Sequence, residues 1–273
     1  MSDYVTQVKE SSKYIRTFLE DTDVSFAVLT GTGQSNLLDE FTVVKSIPYA
    51  DIPFFPLPSV ETHRGTLYLL ANGNTKLLLF AGRLHYYEGF GMDQVTYPVR
   101  VVQELKISKM IFTNAVGGVS PDLEEGDIGI VTDHINLHAA NPLRGENISE
   151  WGVRFPEMLD AYSKGWRDTI HVKAASNDID LKNVVYVGTQ GPNLETPAEY
   201  RFFNIIGGDV VGMSTIPEVI VANHANIECI ALSIVTNKCY PFDKIKSATI
   251  EEIIDIAKKA TPKLAKLIKL ITQ

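Results

Sequence analysis

Several short segments carry residue types that can hold an oxyanion. Thr32, in Gly31-Thr32-Gly33, can offer a phosphate its hydroxyl and a backbone N–H. Arg83 can grip two oxygens with its planar fork. His85 lies two residues on, so in an extended run it points to the same side as Arg83. Ala115, just before Gly117-Gly118, can present a bare backbone N–H, and Ser214 adds a hydroxyl. None of these is specific alone. Thr30-Gly31-Thr32-Gly33 by itself reads as a turn. It lacks the GK[ST] of a phosphate loop and the GxGxxG spacing of a dinucleotide site. An isolated Arg-x-His is more often a surface pair. What gives the set weight is position, because each member follows a short apolar run.

Those runs lie at 24–29, 67–70, 77–81, 110–112, 128–131, 184–187 and 229–235. They are rich in Val, Ile, Leu and Phe and bounded by Gly, Asn, Asp or Thr, as strands buried on both faces are. Helical patterns alternate with them. Residues 94–105 place Val95, Val99, Val102 and Leu105 on one face, and Pro98 imposes a late start or a kink. Residues 198–206 follow Pro197, and 217–224 open on Pro217, both suited to a first helical turn. The last helix opens on Thr249 and Glu252 in capping-box spacing, with its Glu residues early and its Lys residues late. The Pro-rich stretch 52–58 is too apolar for a linker and reads as a loop lying on a core. The expected architecture is α/β: a single domain over residues 1–273, with a twisted mixed, largely parallel sheet flanked by helices. Ligands then bind where strands end.

Composition narrows the function classes. Of 273 residues, 45% are hydrophobic and 21% charged, which excludes a disordered chain. The net charge of −8 argues against a nucleic-acid binder, and a mean hydropathy of +0.01 against a membrane protein. The first twenty residues are charged throughout, with no apolar stretch typical of a secretory leader. Two cysteines, Cys229 and Cys239, cannot build a disulfide scaffold, so a cytoplasmic location with reduced thiols is expected. His134 and His138, four apart, could ligate a metal on one helix face, but that segment reads as strand to loop, and no metal is expected. His171 and His224 read as ordinary helix or surface histidines.

Taken in order, these segments resemble the trimeric, low-molecular-mass purine nucleoside phosphorylases of the nucleoside phosphorylase-I fold. The resemblance is carried by Gly31-Thr32-Gly33, Arg83 through Gly89, Asn114 through Gly118, Asp133 through Leu137, Asn141 through Gly145 and Arg154-Phe155-Pro156. It continues through Gly191 to Thr196, Gly212 to Ala222, and Thr236-Asn237-Lys238. It implies phosphorolysis: inorganic phosphate attacks the anomeric carbon of a purine (deoxy)ribonucleoside, giving free base and (deoxy)ribose 1-phosphate. Phosphate is then a co-substrate, and no cofactor is needed. The phosphate site would be Thr32, Arg83, His85, the Ala115 backbone and Ser214. The sugar would lie against Tyr87 and Met213, and the base against Glu195, Asn237 and Leu194. His63 falls in a loop that the resemblance places near the phosphate. Phe155 would reach into a neighbouring subunit's site, making a homotrimer necessary.

Asn237, Glu195 and His85 would then be the catalytic side chains. Asn237 can donate to N7 and O6 as the leaving purine gains electrons. A Glu195 carboxylate can accept N1–H of hypoxanthine or guanine, whereas adenine would set a lone pair against it. This implies 6-oxopurine nucleosides, inosine and guanosine. On sequence alone Glu195 also fits a helix N-terminal acid. Three positions depart from the family pattern. Thr32 stands where many members have Ser, Leu194 where an aromatic flanks the base, and Ile250 where a His meets the sugar 5′-hydroxyl. Thr32 and Ile250 keep 5′-methylthioadenosine phosphorolysis open as an alternative. A purine-nucleoside binding protein without turnover is the alternative of another class.

Overall fold

The computed structural model describes residues 2–20, 22–59, 65–245 and 247–273. His63 lies outside the described residues. The strands are β1 (Phe26–Leu29), β2 (Thr42–Pro48), β3 (Thr66–Asn72), β4 (Thr75–Ala81), β5 (Lys109–Gly118), β6 (Ile128–Asn136), β7 (Leu181–Gly188), β8 (Val210–Gly212) and β9 (Glu228–Lys238). The helices are α1 (Ser2–Leu19), α2 (Met92–Val95), α3 (Tyr97–Glu104), α4 (Lys164–Ala175), α5 (Pro197–Ile205), α6 (Ile216–His224) and α7 (Ile250–Ile271).

The described strands form one mixed sheet in the order β2-β3-β4-β1-β5-β8-β7-β6-β9, and β9 also pairs with β5. The second half of the sheet therefore closes on itself. Pairings β1–β4, β1–β5, β5–β9, β6–β7 and β7–β8 are parallel, while β2–β3, β3–β4, β5–β8 and β6–β9 are antiparallel. β5 sits at the centre, bonded to β1, β8 and β9. One apolar core lies against α1, α3 and α6, and another against α4 and α7. Between residues 52 and 58 the apolar loop does lie on the core, with Ile52 and Phe55 buried.

Several expected elements shift. The 94–105 pattern splits at Thr96 into α2 and α3, because Pro98 cannot donate within a continuous helix. β5, β6 and β9 run on past their apolar stretches into Asn114–Gly118, Asp133–Asn136 and Thr236–Lys238. The apolar runs alone predict shorter strands, because small and polar residues follow them. The capping box of α7 is as expected: Thr249 Oγ1 accepts from Glu252 N at 3.2 Å, and Glu252 Oε2 accepts from Thr249 N at 2.8 Å.

His224 is helical but not on the surface, being 3% exposed at the end of α6. Arg100 lies over the Trp151 ring at 4.7 Å and donates from Nη2 to His224 Nδ1 at 3.0 Å. Burial, and then the Arg100 charge, push the imidazole pKa down to about 4. A histidine held below its unfolded value near 6.5 adds stability that is complete above that value and disappears as the pH falls to about 4. The melting temperature is therefore expected to fall steeply between these limits, by an amount worth up to about 3 kcal/mol for such a group. His224→Gln keeps an acceptor for Arg100, and its melting temperature should fall less steeply over that window. An unchanged slope in a scanning-calorimetry pH series would remove His224 from the acid response.

Candidate active site

The strand ends converge on one cavity of about 260 Å³. Thr32, Arg83, His85, Ala115 and Ser214 all line it, as do Tyr87, Met213, Leu194, Glu195, Asn237 and Ile250. Phe155 does not. It is 85% exposed and lines a separate hollow with Arg154, Met158 and His134.

One end of the cavity is built from β1, β4, β5 and the entry to α6. Gly31 packs so tightly that an added Cβ would lie 2.9 Å from Asn114 Cα and from Thr113 O. The glycine brings Thr32 down onto β5. After β4 the chain stays extended, so Arg83 and His85 face the cavity while Leu84, between them, enters the core. Far from being a surface pair, Arg83 is 1% exposed. Its Nε donates to Glu218 Oε1 at 2.7 Å and its Nη1 to Thr113 O at 2.7 Å, while Nη2 and Glu218 Oε2 are buried without a protein partner. The fork expected to grip an anion is thus already partly engaged, and Nη2 keeps both of its N–H groups to serve one.

His85 is tied to a carboxylate: its Nδ1 lies 2.9 Å from Glu88 Oε1, and its ring stacks on Tyr87 at 4.7 Å. Burial would raise the Glu88 pKa, but hydrogen bonds from the His85 and Ser59 side chains and backbones outweigh it and bring it to about 2. Glu88 therefore stays ionised and fixes the imidazole's orientation. Burial lifts the Tyr87 phenol to about 12, keeping it a donor. Ser214 is followed by Thr215, whose φ of +67° is a strained conformation for a β-branched residue. Thr215 is fully buried, and its Oγ1 accepts from Asn114 Nδ2 at 2.9 Å.

The other end rests on β9 and the start of α5. The β5–β9 register runs Val116↔Val235 and then Gly117↔Asn237, so Thr236 is an extra, bulged residue. Its Oγ1 lies 3.1 Å from both Val116 O and Asn237 Oδ1, and its single proton serves one at a time. The bulge re-aims Asn237 across Gly117, where an added Cβ would lie 3.5 Å from Asn237 Nδ2. That nitrogen lies 3.0 Å from Cys239 Sγ. Burial raises the Cys239 pKa to about 12, so the thiol stays protonated.

Glu195 turns out not to cap α5. Thr196 is the N-cap, and Glu199 takes the first-turn position and completes the capping box. Glu195 instead accepts from Thr189 Oγ1 at 2.9 Å and faces the cavity. The sequence reading assigns no role in the site to Thr189, Tyr200, Thr236, Cys239 or Glu218. Tyr200 carried one legible signal, its place four residues into a helix that starts just after Glu195.

His134 and His138 lie in and just after β6 rather than on a helix, and His134 Nδ1 is 2.9 Å from the Tyr162 hydroxyl. Among the described residues, no cluster of three His, Cys, Asp or Glu side chains is placed to hold a metal ion. No helix among them is long and apolar enough to cross a membrane.

The fold and site define an α/β protein whose mixed sheet, half of it closed, carries a polar cavity at its strand ends. The chain belongs to the Phosphorylase superfamily, whose sequence profile matches residues 25–273. It is 40% identical over 270 residues to purine nucleoside phosphorylase 1 of Geobacillus stearothermophilus, covering 98% of this chain and 97% of the relative. With the Bos taurus purine nucleoside phosphorylase it shares 39% over 251 residues, covering 90% and 87%. Crystal structures of the Schistosoma mansoni purine nucleoside phosphorylase, one with inosine and one with adenosine, superpose with a TM-score of 0.89 at 33% identity, covering 97% of this chain and 95% of that one.

Proposed function

We propose that this chain is a purine nucleoside phosphorylase that cleaves 6-oxopurine (deoxy)ribonucleosides with inorganic phosphate. One observation supports the assignment of roles: Thr32, Arg83, His85, Ala115 and Ser214 line the same cavity as Glu195 and Asn237. Arg83 Nη2, His85, the hydroxyls of Thr32 and Ser214 and the Ala115 backbone hold phosphate beneath the sugar. Tyr87 and Met213 meet the sugar. Glu195 and Asn237, beside Leu194, meet the base.

Breaking the N-glycosidic bond places positive charge on the sugar and negative charge on the purine. Bound phosphate stabilises the first and then attacks the anomeric carbon. The Asn237 amide has two N–H groups; one points at Cys239, and the other can donate to N7, where charge accumulates. Glu195 accepts N1–H of a 6-oxopurine. A homotrimer fits the exposure of Phe155 (85%) and Leu159 (92%), apolar side chains on one connection. Two unpaired, buried cysteines fit a reducing cytoplasm.

Phosphate-dependent release of hypoxanthine from inosine by the purified chain, absent without phosphate, tests this directly. Binding of inosine without release would leave a binding protein. A second reading is favoured by Ile250 and Ile253, which present apolar side chains to the cavity from the first turn of α7. Such a wall suits a 5′-alkylthio group, and a preference for methylthioadenosine over inosine in parallel assays would select that activity. On the lead reading, Ile250→His should raise the preference for inosine over 5′-deoxyinosine roughly threefold to tenfold, the worth of one hydrogen bond. An unmoved ratio would place Ile250 away from the 5′ end.

A further inference from the structure

Between β8 and α6 the chain turns within three residues. Ile216 N donates to Ser214 O at 2.7 Å, and Thr215 between them has φ +67° and ψ −52°. This is a γ-turn of the rare, strained hand, centred on a fully buried β-branched residue. Thr215 is also the N-cap of α6, where a threonine hydroxyl usually accepts from a backbone N–H of the first turn. It makes no such bond. Its Oγ1 instead accepts from Asn114 Nδ2 at 2.9 Å and lies 3.2 Å from Ser214 Oγ. Asn114 is 1% exposed, and its Oδ1 is buried without a partner. Turning that amide over would strand its N–H groups in place of the oxygen.

An amide nitrogen only donates, so the direction of the chain of hydrogen bonds is set at Asn114. Thr215 Oγ1 accepts there, and its own proton is directed to Ser214 Oγ. Ser214 Oγ accepts in turn and keeps its proton for the cavity, which it lines with Arg83 and His85. Hydrogen bonds linked head to tail in this way polarise one another. We propose that Thr215 is a positioning residue for the anion site, fixing the Ser214 hydroxyl as a donor aimed at phosphate. This rests on the proposed role of Ser214 in holding phosphate. The strained turn sets the Thr215 hydroxyl beside Ser214 instead of over the end of α6. Without that proton the Ser214 hydroxyl is free to rotate among its staggered positions, of which one serves the anion.

Thr215→Val keeps the branched shape and removes the proton. KM for phosphate should rise roughly threefold to tenfold, tenfold being about 1.4 kcal/mol. KM for inosine and kcat should move much less. The phosphate Kd, read by titration calorimetry, should rise in parallel, and Thr215→Ser should bring both constants back close to their starting values. Thr215→Ala eases the crowding of a branched residue at positive φ, so it should fold at least as well as Thr215→Val and weaken phosphate as much. In a Ser214→Ala background, Thr215→Val should leave the phosphate Kd where it is, since its effect runs through the Ser214 hydroxyl. An unchanged phosphate Kd in Thr215→Val and Thr215→Ala, or the same rise with and without Ser214, overturns the proposal. Absence of phosphate-dependent turnover in the unmodified protein would instead overturn the assigned activity, and the phosphate Kd series would still decide the role of Thr215.

Discussion

Asn237→Asp should lower kcat/KM for inosine by about 10²- to 10³-fold, the usual cost of losing a donor aimed at developing charge. A carboxylate at this position has no proton for N7 when ionised. When protonated it can donate to N7, and its other oxygen can accept from a 6-amino group. The same variant should therefore shift its preference toward adenosine. The Thr236 hydroxyl, 3.1 Å from Asn237 Oδ1, remains to hold the new side chain in place. Steady-state kinetics on inosine and adenosine check both parts. A variant that loses both substrates in proportion would show that Asn237 does not read the 6-position.

Arg83→Met should be the most damaging change to the fold. Glu218 is fully buried, and Arg83 Nε is its hydrogen-bonded partner at 2.7 Å. Removing one member of such a pair strands the other's charge, typically at about 3–5 kcal/mol. For a chain of this size that is a fall in melting temperature of roughly 10 °C. Phosphate should also bind more weakly, because the lost side chain supplies Nη2. Glu218→Gln separates the two effects. It retains an acceptor for Nε, so it should lose less stability, and it leaves the guanidinium charge uncompensated, so the KM for phosphate should drop. A raised KM in Glu218→Gln would mean that the carboxylate's orientation of Arg83 matters more than its charge.

The α/β class, the order of the buried strands and the principal cavity residues were legible because each left a local mark: an apolar run, a glycine or an isolated polar side chain at its end. Reading failed where the mark was mixed. α1 buries Val8, Ile15 and Leu19, but the same stripe includes Ser11 and Ser12, whose hydroxyls are satisfied by Tyr97 and by the Val8 carbonyl. That polar interruption hides the helical period. β2 is an edge strand with most of its side chains exposed, so it has no apolar run to find. β5 and β9 run beyond their apolar stretches because the residues there are small or polar, and Asn114, Ala115, Thr236 and Asn237 line the cavity while the sheet continues beneath them. Glu218 gave no signal, since its partner lies 135 residues away.

The two ends of the cavity differ in how they are anchored. Asn237 hangs from β9, which pairs with β5 from Lys109↔Glu228 to Gly118↔Lys238 on both sides of the Thr236 bulge. Ile250 hangs from the first residue of a helix reached by a connection after Cys239. Changing which heterocycle is accepted therefore calls for single exchanges on a stiff frame, where most combinatorial libraries would yield misfolded protein. Diversifying the approach to α7 should instead tolerate many sequences at once, so evolution and engineering alike have their widest latitude at the sugar's far end.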